Sequence, residues 1–226
     1  MANHLDLEEQ EQLDQLKHFW AAWGTLITSV LTVVMVALAA WNGYQFWQTR
    51  QASQASALSD AIEAAAVAKD SQRLEQAFGD MRAKHGGTTQ ASQAALLVAE
   101  VEQEAGKLDA AKDALGWLAG NGSDAGYKAV ARLRLASILM AQDANEDALA
   151  QLNAETAPEF AAVIADRKGD VLSLLGKRDE AVAQYQIAYK GFDPSIEYRR
   201  LVEVKLNALG VQADAAVTGA EKDTAK

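Results

Sequence analysis

An all-α protein is predicted, with a single N-terminal transmembrane helix followed by a solenoid of helical hairpins. Three observations predict it. The stretch LKHFWAAWGTLITSVLTVVMVALAAWNGYQFWQTR, residues 16–50, holds no acidic or basic residue between His18 and Thr49. Beyond it, Ala- and Leu-rich periodic segments of roughly 12 to 18 residues alternate with breaks marked by Gly or Asp. Only two prolines stand in 226 residues, so little interrupts a helix.

Taken in order, residues 1–18 form an acidic tail. They carry Asp6, Glu8, Glu9, Glu11 and Asp14 against a single Lys17. Residues 19–47 form the span. About 20 helical residues cross a hydrocarbon core, and Phe19 to Trp41 is almost wholly apolar or small. Phe19, Trp20 and Trp23 stand at one end, and Trp41, Tyr44, Phe46 and Trp47 at the other, as interfacial aromatic belts do. Lys17 and Arg50 lie just outside, where long cations reach water. A cleaved signal peptide fits less well, because its leading region is basic and its apolar run shorter. Ala37-Leu38-Ala39 does resemble a small-x-small cleavage site. Membrane lipid is thus one expected partner. Charge counting leaves the orientation open, with one Lys before the span and one Arg just after it.

Along one face of the span run Thr25, Ser29, Thr32, Ala39 and Gly43, interrupted by Val36. Small residues admit a second helix closely, and hydroxyls can bond across the contact. The alternative is that the hydroxyls bond back to their own helix.

Residues 50–210 read as the hairpin array. Ala57-Leu58, Ala61-Ile62, Ala65 and Ala68 form one apolar stripe; Leu74, Ala77-Phe78 and Met81 form another. His85-Gly86-Gly87 is expected to end this pair with a left-handed cap. An internal repeat follows. Its clearest copy is RKGDVLSLLGKRDEAVAQYQIAYKGFDP, residues 167–194, with Gly169, Leu172, Gly176, Ala181, Tyr185 and Ala188. This pattern resembles the tetratricopeptide repeat. Gly169 lets the second helix approach, Gly176 caps the first, Ala181 is the small contact and Tyr185 fills the gap between hairpins. Two weaker copies carry Ala99, Gly106, Ala111, Leu115 and Leu118, and Ala136, Leu139, Asp143, Ala148 and Leu152, with Glu155 in place of the last small residue. Ala111, Ala148 and Ala181 are 37 and 33 residues apart, near the repeat length of about 34. A terminal helix over 195–209 should cap the array, with Ile196, Leu201, Val204, Leu206 and Leu209 partly buried. Residues 211–226 are small and polar, and are expected to be disordered.

Net charge is −10 and the pI about 4.8. No Lys/Arg patch stands out, which argues against a nucleic-acid partner. Without cysteine there is no disulfide, thiolate metal site or cysteine nucleophile. His4, His18 and His85 are not at ligand spacing, and no phosphate-cradling or GxSxG motif occurs. No cofactor, metal or catalytic residue is expected, and the protein is read as a non-enzyme. Asn121-Gly122-Ser123 is read as a turn. A helical-hairpin stack presents a concave face lined by the first helix of each repeat. There the expected partner-binding residues are Leu96 and Glu100, Leu133 and Met140, and Asp166 and Asp170, flanked by Gln93, Gln103, Ser137 and Ser173. Lacking a Lys/Arg/Asn clamp for carboxylates, this face suits a basic or extended partner, including client polypeptides.

The whole layout resembles the YfgM-like family of ancillary translocon subunits: an acidic tail ending LKHFW, one span ending WNGYQFWQTR, an Ala-rich helical region and degenerate repeats ending near Gly210. The resemblance covers about residues 1 to 210. It implies a single-pass protein of the bacterial inner membrane, with the N-tail cytoplasmic and the repeats periplasmic. It also implies association with the SecYEG translocon and the chaperone PpiD, and a role in passing newly translocated proteins to periplasmic chaperones. The rival expectation is a scaffold or regulator that binds another membrane or signalling protein through its repeat face.

Overall fold

The computed structural model describes residues 7–154 and 157–212, with side chains from residue 13 onward except at 51 and 52. Glu155 and the C-terminal segment 213–226 lie outside the described residues. The chain divides into two compact units, Met1–Gln51 and Ala52–Lys226. Among the described residues there is no strand.

Helix α1 runs over Leu7–Val67. Its first unit contains a stretch long and apolar enough to cross a membrane, and almost none of that stretch is buried. Leu26, Val33, Met35 and Leu38 all stand more than half exposed around the helix. A helix that is apolar all round and packs against nothing needs a non-aqueous surround.

The second unit is built from pairs. The end of α1 packs as the first helix of a hairpin with α2 (Ser71–His85). Then come α3 (Thr89–Glu104) with α4 (Leu108–Asn121), α5 (Ala125–Ala141) with α6 (Asn145–Asn153), and α7 (Ala161–Leu174) with α8 (Arg178–Gly191). Helix α9 (Tyr198–Ala208) closes the array. A 3-10 turn, Pro158–Phe160, leads into α7.

One backbone device recurs at every turn from first to second helix. Lys69, Gly106, Asp143, Gly176 and Gly210 all have positive φ, between 53° and 76°. In each, the next residue's N–H reaches back to the carbonyl five residues earlier. Asp70 bonds Ala65, Lys107 bonds Glu102, Ala144 bonds Leu139, Lys177 bonds Leu172 and Val211 bonds Leu206, at 2.8–3.0 Å. This is the Schellman arrangement, which satisfies the orphaned carbonyls of a helix end. The turn residues are 37, 37, 33 and 34 apart. The array therefore holds four full hairpins and the first helix and turn of a fifth. Sequence periodicity alone finds three repeats, because Leu74 occupies the alanine position in the first hairpin and Lys69 the glycine position.

Equivalent positions carry the core. Seven residues before each turn residue stand Ile62, Ala99, Ala136 and Gly169, all buried. Opposite them on the second helices are Leu74, Ala111, Ala148 and Ala181, then Phe78, Leu115, Leu152 and Tyr185, each at most 3% exposed. In the fourth hairpin a Cβ on Gly169 would lie 2.5 Å from two ring carbons of Tyr185. The smallest residue thus faces the largest ring. The same position in α9 is Glu203, only partly buried. A charge there disfavours a further packed helix.

Two expectations are corrected. Gly86 has a right-handed φ of −57°, and Gly87 is not among the positive-φ residues. The constraint at Gly86 is space: a Cβ would meet the Arg82 carbonyl oxygen at 2.7 Å and the Trp117 ring at 3.2 Å. In α9, Val202 and Leu206 are buried, whereas Ile196, Leu201 and Val204 are 46%, 45% and 61% exposed. The helix carries two apolar stripes, and α8 covers the one through Val202 and Leu206.

Glu102 is fully buried, with Oε1 unpartnered; Oε2 accepts from the Ser71 hydroxyl at 3.3 Å and lies 3.7 Å from Lys107 Nζ. Leu139, Leu172 and Leu206 occupy the equivalent position in later repeats. Replacing a half-satisfied buried charge with the residue the fold uses elsewhere should stabilise it. Glu102→Leu is expected to raise unfolding free energy by about 1 kcal/mol or more in urea titration. Conversely, Gly169→Ala should lower it by about 1–3 kcal/mol through overpacking. Adding Tyr185→Leu, the pairing of small and medium residues seen in hairpins two and three, should recover part of that loss.

Candidate interaction surface

The hairpin turns place the first helices side by side, so their outward positions form one face of the array. Two cavities lie along it. One, of about 410 Å³, is lined by Ser56, Asp60, Glu63, Gln90, Gln93 and Leu97 from α1 and α3, among others. The next, of about 530 Å³, is lined by Glu100, Gln103, Glu104, Arg134 and Ser137 from α3 and α5. Arg134 approaches Glu100 at 3.5 Å, with both side chains about half exposed. Gln93 donates to the Tyr127 hydroxyl at 3.1 Å, tying α3 to α5. Leu96, Leu133 and Met140 are half-buried and pack onto the cores beneath.

At the far end the acids turn inward. Asp166 is 1% exposed and accepts from Lys205 Nζ at 2.8 and 2.9 Å and from the Tyr198 hydroxyl at 2.7 Å. Asp170 accepts from the Tyr185 hydroxyl at 2.8 Å, pairs with Lys205 at 2.7 Å and lies 3.6 Å from Arg167. Both carboxylates are therefore committed to docking α8 and α9 onto α7, rather than lying open as expected of partner-binding residues. Burial, with help from the neighbouring carboxylates, pushes the Tyr198 phenol up to about 12 and the Tyr185 phenol higher still.

In the span, the hydroxyls of Ser29 and Thr32 are spent locally. Ser29 donates to the Thr25 carbonyl at 2.7 Å and Thr32 to the Thr28 carbonyl at 2.7 Å. Ala39 is exposed, and nothing approaches within 4 Å of a Cβ built on Gly43. This face offers a neighbour small apolar contact, with the Ser29 and Thr32 donors already used.

Residues that sequence reasoning missed are Asp60, Glu63, Glu104 and Arg134. The recurring turn supplies the signal that finds them, since each stands at a fixed offset from a left-handed residue.

The tetratricopeptide repeat-like domain family matches residues 17–211. A protein of Neisseria gonorrhoeae (strain ATCC 700825 / FA 1090), named ancillary SecYEG translocon subunit, is 30% identical over 152 residues, covering 67% of this chain and 73% of that protein. The chain belongs to the YfgM-like family. No solved structure is significantly similar. The match from residue 17 takes in the apolar span as well as the repeats, so family membership rests on their combination.

The inward acids give a direct test. Lys205→Met strands Asp166 in the interior, and should cost about 3 kcal/mol with fraying of α9. The double variant Asp166→Leu/Lys205→Met should recover most of that loss, since Leu96 and Leu133 stand at the equivalent position. Chemical denaturation followed by far-UV circular dichroism reads both. The tyrosines add a pH dependence. A phenol whose folded pKa exceeds its unfolded value of about 10 stabilises fully below pH 10 and loses that contribution as pH rises through about 12. Phenolate absorbance should show a late-ionising component from Tyr185 and Tyr198, and the Phe variants should lose it.

Proposed function

We propose that this protein is a non-enzymatic, membrane-tethered adaptor at the SecYEG translocon, passing newly translocated polypeptides to periplasmic chaperones, PpiD among them. The observation that carries the reading is the likeness to an ancillary SecYEG translocon subunit over two thirds of the chain, joined to an N-terminal stretch apolar enough to span a membrane. In this reading the protein is a single-pass inner-membrane protein, with residues 1–18 in the cytoplasm and the hairpin array in the periplasm.

The physical logic is tethering. A face of half-exposed glutamine, acidic and aliphatic side chains makes modest contacts, and a modest contact suffices where the local concentration is high. Anchoring beside the exit of a translocation channel supplies that concentration. The small-residue face through Thr25, Ser29, Thr32, Ala39 and Gly43 gives a partner helix a close approach within the bilayer.

Two measurements test this. A photocrosslinker at Ser29 or Thr32 should capture a translocon subunit in living cells; capture only of proteins unrelated to translocation would contradict the assignment. Protease added to intact spheroplasts should degrade the region after residue 52. Protection of that region would place the repeats in the cytoplasm and remove the hand-off role.

A further inference from the structure

The array begins with a full hairpin but ends on a first helix. Among the described residues nothing follows α9 in the place of a second helix. In the four full hairpins that second helix packs against the row Ile62, Ala99, Ala136 and Gly169, and in α9 the row continues as Glu203. Around it, Arg200, Val204 and Asn207 complete a stripe at i, i+3, i+4 and i+7. The stripe points away from Val202 and Leu206, which α8 covers. Arg200 and Asn207 are exposed, Val204 is 61% exposed and Glu203 is half-buried.

The two charges of this stripe are unlike and uncommitted. Arg200 and Glu203 make no side-chain ion pair among the described residues, with each other or with a neighbour. An apolar helix laid on this face would strand both charges. A helix that brings an opposite charge to each would not, and α9 is itself such a helix. Run antiparallel across a twofold axis passing between residues 201 and 202, it sets Arg200 opposite Glu203 of the second copy, and Glu203 opposite that copy's Arg200. The two sites lie three residues apart, about 4.5 Å along the helix, so both pairs form at one crossing. A parallel pairing sets like against like and is repelled. A face on which residue i meets j while j meets i satisfies the requirement of an isologous contact. Val204 adds an apolar contact beside the charges.

We infer that the unpartnered face of α9 docks α9 of a second copy of this chain, antiparallel, through reciprocal Arg200–Glu203 pairs. Each copy then supplies a helix against the side that the other's α9 leaves open. The contact is one helix crossing, smaller than a stable soluble interface, so it forms where copies share a surface. One membrane anchor per chain confines the copies to that surface and raises their local concentration. The inference goes beyond the adaptor reading and stands whichever protein the adaptor serves.

The full chain holds no cysteine, so Lys190→Cys, at an exposed position of α8, takes one dye per molecule. Donor- and acceptor-labelled chains are reconstituted together in liposomes, and energy transfer between them is read. The chain with native α9 should transfer, and an excess of unlabelled chain should compete the signal away. Arg200→Glu alone, or Glu203→Arg alone, sets like charges together, and each should weaken self-association by at least about tenfold. Mixed with one another, the two variants are complementary and should transfer as native α9 does. Glu146→Arg, exposed on α6, should change nothing. Circular dichroism checks that each variant keeps its fold. No transfer with native α9, even at the highest protein-to-lipid ratio, would overturn the inference and leave this face to another protein or to the chain's own C-terminal segment. Transfer kept in both single variants would overturn it too, placing the contact elsewhere, such as the span. So would loss in both variants without recovery in the mixture. The translocon crosslink at Ser29 is scored separately, so either reading can fail without the other.

Discussion

Five left-handed turn residues govern the soluble half of this protein. Each closes a helix by returning an N–H to the carbonyl five residues back, and so fixes where the next helix must start. Once that register is set, the side chains at a given offset from the turn meet the same environment in every repeat. The row holding Ile62, Ala99, Ala136 and Gly169 faces the second helix of its own hairpin, and the row holding Leu74, Ala111, Ala148 and Ala181 faces back. Three of these turns use glycine. Lys69 and Asp143 adopt the same conformation with a side chain present, at some conformational cost. The hairpin packing around them holds the conformation in place.

The same register distributes polar groups unequally. In the fourth hairpin, Asp166 and Asp170 are compensated by Lys205 and by the Tyr185 and Tyr198 hydroxyls, so α9 is held by a charged network as well as by Val202 and Leu206. In the second, Glu102 is buried with one oxygen unpartnered, a local loss of stability that a leucine would avoid. In the first and second, the outward acids remain open to solvent. Acids are thus compensated in the fourth hairpin, and outward acids are open to solvent in the first two.

Much of this was legible in the sequence. The span announced itself by length, absence of charge and paired aromatic belts, because bilayer thickness imposes those features directly. The repeat was legible from Ala111, Ala148 and Ala181, since close helix contact demands a small residue at a fixed interval. The first hairpin was harder to see as a repeat, because Leu74 and Lys69 fill the diagnostic positions with atypical residues. The facing of α9 could not be read from periodicity. Leu201 and Val204 form as good an apolar stripe as Val202 and Leu206, and only the docking of α8 decides between them. Nor could sequence show that Asp166 is interior, because its partner Lys205 stands 39 residues further on. An acid on a helix face reads as solvated until its cation is located.

The account depends on all five turns forming alike, with α1 entering the array as a true first helix and α9 as the start of a fifth repeat. Hydrogen exchange on the full-length protein measures this at the donors themselves. The amides of Asp70, Lys107, Ala144, Lys177 and Val211 should all be protected relative to neighbouring loop amides, with Val211 slowing as the others do. Exchange at Asp70 or Val211 at the rate of an unstructured chain would show that the array lacks its first or last turn, and would contradict the register on which both the core and the groove are built.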